Sequence, residues 1–82
     1  MTRQREPLDS TEKQLVADYD EVILCLFIAD INRWESNRVM WNKWDDYRRL
    51  AWIYRMEEEA ERGLPMAVEV VTTAVHYRLT KD

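Results

Sequence analysis

The sequence predicts an all-α fold, a small three-helix or four-helix bundle that pairs as a dimer. Three observations lead there. The 82 residues include one glycine, Gly63, and two prolines, Pro7 and Pro65, which is too little turn chemistry for a multi-stranded sheet. Apolar side chains recur at helical spacing along most of the chain. Cys25 is the only cysteine and His76 the only histidine, so neither disulfides nor a four-ligand zinc site can supplement the limited core of so short a chain. A second subunit is the support left.

Residues 1–8 read as a flexible N-terminal tail and residues 9–82 as one helical domain. The first helix should start at Asp9 or Ser10, because Asp9 supplies a capping carboxylate and Glu12, three residues on, can reach back to it. At about 100° per residue, Leu15, Val16, Tyr19, Val22, Ile23, Leu26, Phe27 and Ala29 share one broad face, the expected core stripe. Leu24, Ile28 and Ile31 fall opposite and are assigned as the dimer face. A buried strand is the competing reading of the apolar run at residues 22–29, but the helical phase continues on both sides of it.

A break is expected at residues 34–37, where Glu35, Ser36 and Asn37 offer a new cap, and a second helix over 37–62, with one continuous long helix as the alternative. Met40, Trp44, Tyr47, Leu50, Ala51 and Tyr54 form its core face. A separate stripe carries Trp41, Trp52 and Met56, flanked by Arg38, Arg48, Arg49 and Arg55; it reads either as a partner-binding surface or as Trp41 and Trp52 packed under the first or last helix of the same chain with the arginine stems over them. Gly63 then suits the position just past a helix end and Pro65 the first position of the next helix. In that last segment Glu69, Thr72, Thr73, His76 and Thr80 make a polar arc against Ala67, Val68, Val70, Val71, Ala74, Val75 and Leu79. Its valines and threonines keep a strand over 66–80 as the alternative.

Charge is unevenly placed within a net of -4 and a pI near 5.0. Residues 1–31 hold seven acidic and three basic side chains, residues 32–56 six basic and three acidic, and residues 57–62 four glutamates against Arg62. A basic, aromatic middle lies between acidic flanks.

Catalysis has little to stand on, so no catalytic residue is assigned. A nucleophile needs a neighbouring base and a group that orients it, yet His76 belongs to a polar arc while Cys25 sits in the most apolar segment, where it reads as a small core hydrophobe. Ser10 and Ser36 read as caps. Consecutive glutamates at 57–59 diverge around a helix and read as a solvated charged stretch, so no metal and no cofactor are expected. The polar start and an eight-residue longest apolar run predict no secretion signal and no membrane span, hence a cytoplasmic protein.

Tryptophan and arginine most often dominate protein interfaces, since each joins a large contact area to a directed polar or cationic group. The expectation is therefore a non-enzymatic module that docks on a larger protein or nucleoprotein complex through Trp41, Arg48, Trp52, Arg55 and Met56, with Asp18 and Glu21 as acidic contacts. Inhibitors and regulators, including phage-encoded ones directed at host defence enzymes, are the class such small acidic chains suggest. The alternative is a nucleic-acid-binding regulator using the basic aromatic middle helix. Direct nucleic-acid binding is the weaker expectation, because an acidic chain repels a polyanion and the local excess of three positive charges is small beside a typical phosphate footprint.

Overall fold

A computed structural model describes residues 6–81, and these form four α-helices with no strand among the described residues. They are α1 (Ser10–Ala29), α2 (Ile31–Lys43), α3 (Asp46–Glu61) and α4 (Pro65–Thr80). Residues 66–80 are helical, so the strand alternatives fall away. Of the tail expected at 1–8, residues 1–5 lie outside the described residues; Leu8 packs against the core, and the Tyr47 hydroxyl donates to the Glu6 carbonyl.

Local chemistry sets the helix ends. Asp9 and Glu12 form the predicted capping box, with Glu12 N–H donating to Asp9 Oδ1 at 2.8 Å and Asp9 N–H to Glu12 Oε1 at 3.1 Å. Asp30 alone joins α1 to α2: its N–H donates to the Leu26 carbonyl and its carboxylate accepts from Arg33 N–H at 3.2 Å. The break thus falls before the expected 34–37, and Ser36 lies inside α2 rather than at a cap. A second break interrupts the expected 37–62 helix. Trp44 turns extended (φ -84°, ψ 150°) and Asp45 caps α3 by accepting from Arg48 N–H at 2.9 Å. Gly63, at φ 80°, closes α3 with Leu64 N–H donating to the Glu59 carbonyl and Gly63 N–H to that of Ala60, and Pro65 opens α4.

Helix α1 is central and packs against the other three, while α3 and α4 form an antiparallel pair beside it. Val16, Tyr19, Val22, Ile23 and Leu26 of α1 are buried as predicted, Leu15 and Phe27 are half-buried, and Ala29 is exposed. From α4 only the small residues Ala67, Val70 and Ala74 are buried, which lets its backbone approach closely. Asp18 is buried too, bonded to the Gln14 amide at 2.9 Å and the Lys81 ammonium at 3.0 Å, with Arg78 at 3.7 Å. It ties the last turn of the chain to α1.

The inward face of the middle segment is not the one expected. Met40, Ala51 and Tyr54 are exposed and Trp44 and Tyr47 half-buried, while Trp41, Trp52 and Met56 are buried with Leu50 and Ile53. In one continuous helix the eleven residues from Trp41 to Trp52 would span about 16 Å. Across the break, the two rings meet edge to face with centroids 5.8 Å apart.

Candidate partner-binding groove

The joint between α2 and α3 brings three indoles into one corner. Trp52 touches Trp41 on one side and Trp44, at 6.4 Å between centroids, on the other. Trp41 Nε1–H donates to Asp20 Oδ1 at 2.9 Å, so the deepest indole is satisfied by a carboxylate of α1. Arg49 locks the corner from outside. Its Nε donates to the Trp41 carbonyl at 3.0 Å, Nη1 meets Asp46 at 3.1 Å, and the guanidinium lies 5.3 Å from the Trp41 ring centre.

Next to this corner lies a groove of about 390 Å³ bounded by three helices. Asn37 and Met40 come from α2, Trp44 from the joint, Arg48, Ala51, Trp52 and Arg55 from α3, and Met66 from α4. Positions 48, 51, 52 and 55 share one face of α3 and 37 and 40 one face of α2, and the turn at Trp44 sets the two faces around the same space. The groove runs on past Trp44 and Arg48 toward Lys43 and Tyr47. Its wall is thioether and indole; its rim is cationic.

The two rim arginines differ in attachment. Arg48 lies over the Trp44 ring at 5.7 Å, and among the described residues no carboxylate forms an ion pair with it. Arg55 is loosely held by Glu59 at 3.7 Å across an exposed i,i+4 pair. Seven residues separate them, about 10 Å along the helix axis.

Of the residues assigned to docking from sequence, Arg48 and Arg55 stand exposed at this rim, and Trp52, 8 % exposed, forms its floor. Trp41 and Met56 lie in the interior, because their stripe is the one that the other helices cover. Asp18 is interior as well, paired with Lys81 and Arg78 instead of facing solvent, whereas Glu21 is exposed on α1. Of the dimer-face residues, Ile28 and Ile31 are exposed at the α1–α2 corner and Leu24 is half-buried. Cys25 is exposed, not core. Trp44, Met40 and Met66 were missed; Asp45 followed by a helix-forming run was the signal, since a cap there moves Trp44 out of the helix and to the groove.

Two titrations are displaced. Burial opposes ionisation of Asp18, but the Gln14 and Lys81 hydrogen bonds and the charges of Lys81 and Arg78 outweigh it and hold the carboxyl below its ordinary value. Burial, then the nearby Glu57 carboxylate, push the Tyr19 phenol up to about 12, and its hydroxyl has no partner in hydrogen-bond geometry. Neither group belongs to the groove.

Among the described residues no three His, Cys, Asp or Glu side chains come together to hold a metal ion, and no helix is long and apolar enough to cross a membrane. No family model, no curated protein and no solved structure matches this chain.

Proposed function

We propose that the chain is a non-enzymatic protein-binding module, of the inhibitor or regulator kind, which captures a segment of a larger protein in the groove between α2, α3 and α4. The observation that carries this reading is the Arg48 guanidinium, stacked on Trp44 with no carboxylate in an ion pair with it among the described residues, beside Arg55 on the same rim. A stacked guanidinium is held in place yet keeps its donors, so it binds a partner's carboxylate with little further loss of freedom. The apolar floor of Met40, Ala51, Trp52 and Met66 takes an apolar anchor, and the thioethers adapt to its shape. The occupant is accordingly a peptide segment with an apolar side chain between carboxylates about 10 Å apart.

The test compares the native chain with the Arg48→Glu, Arg55→Glu double variant as bait in extracts of the cells that produce it. The expected result is a protein retained by the native chain, released by salt and absent from the variant, at unchanged helicity. Identical retention by both baits overturns the reading. So does steeply salt-dependent binding of a single-stranded oligonucleotide that the double variant loses, because the groove would then serve nucleic acid.

A further inference from the structure

Helix α4 is apolar over more of its circumference than its own chain covers. Ala67, Val70 and Ala74 face the core, and on a different face Leu64, Val68, Thr72, Val75 and Leu79 are all exposed, the aliphatic ones by 39 to 79 %. At 100° per residue these five lie within about 80° of arc, a continuous stripe with no charged side chain. Its spacing is palindromic. Leu64 and Leu79, and Val68 and Val75, are equidistant from a midpoint between Val71 and Thr72.

We propose that this stripe binds a second copy of the chain, α4 against α4 in antiparallel register about a twofold axis beside Thr72. Twofold pairing requires that if one residue meets another, the second meets the first across the axis. The palindrome satisfies that requirement: Leu64 meets the partner's Leu79, Val68 meets the partner's Val75, and Val71 and Thr72 flank the axis. An uncharged stripe offers a charged partner nothing to pair with, whereas a second copy matches its Leu64, Val68, Val75 and Leu79 side chain for side chain. Valines branched at Cβ also lose little rotamer freedom on burial. A standard interface takes about 800 Å² from each partner, roughly an eighth of the 6054 Å² surface here. A helix of 16 residues, about 24 Å long, supplies less than that, which places the pairing among the small, reversible interfaces. The groove at Arg48 takes Met66 alone from α4, on a different face from this stripe, and its reading does not depend on this one.

Sedimentation equilibrium of the full chain from about 1 µM to about 1 mM tests the pairing. The mass should rise from 10.0 kDa toward twice that value. Val75→Glu and Leu79→Glu change exposed positions and should weaken dimerisation at least about tenfold while circular dichroism and Tm hold. Thr72→Cys in a Cys25→Ser background should oxidise to a covalent dimer, whereas His76→Cys in the same background should not. A chain that stays monomeric throughout overturns the proposal. A dimer that survives both Glu variants, or one broken instead by Ile28→Glu, also overturns it.

Discussion

Replacing Trp52 by alanine separates two roles that look alike on paper, a docking side chain and a structural one. The ring is 8 % exposed and touches both Trp41 and Trp44. An aromatic side chain buries about 150–250 Å², worth roughly 4–6 kcal/mol at about 25 cal/mol per Å², and part of this survives as the alanine methyl. Substitutions of this kind in cores cost about 3–5 kcal/mol. A chain of this length has about 4–12 kcal/mol in all, so the variant should be close to unfolding. Urea titration followed at 222 nm reads it directly: with m near 1–1.5 kcal/mol/M, the midpoint should fall by about 2 M or more, or no folded baseline should remain. Trp44→Ala is the control. That ring is half-buried and should cost less than about half as much, while weakening capture at the groove. A Trp52 variant that loses under about 1 kcal/mol at unchanged m would refute the interior placement of the three-indole corner.

Three further outcomes follow from the same packing. Tyr19→Phe removes a buried hydroxyl that makes no hydrogen bond and should be neutral or stabilise by about 1 kcal/mol; a loss of more than about 1 kcal/mol would show that the phenol donates to Glu57. The raised Tyr19 pKa means its neutral form favours the fold, so that contribution is full below about pH 10 and is lost as pH rises toward 12. Alkaline titration of stability should show the loss in the native chain and not in the phenylalanine variant. Asp18→Asn should cost about 1–2 kcal/mol at neutral pH, given that Lys81 and Arg78 are partly solvated. Because the folded carboxyl sits below 3.8, Asp18 contributes fully above that pH and its share is lost as pH falls through the lower folded value; the variant should have the shallower acid limb, read by stability against pH. Gly63→Ala meets no atom within 4 Å, so its cost is the backbone strain of φ 80° alone, about 1–2 kcal/mol by thermal melting.

Features that depend on near neighbours are legible in the residues alone. The Asp9–Glu12 box, the Gly63 stop, the Pro65 start and the buried face of α1 each follow from residues within one or two turns, so their geometry can be read from spacing. Where the middle segment breaks is set by long-range packing instead. Asp30 and Asp45 act as caps because the chain folds back at those points, and in isolation an aspartate inside a helical pattern is equally a solvated charge. Trp41, Trp52 and Met56 share one stripe and turn inward together while Met40, Ala51 and Tyr54 turn outward; periodicity draws both stripes and does not say which one the other helices cover. Arg48 and Arg55 reach the rim in either description, because side chains always charged in water stay at the surface whichever way the helix turns.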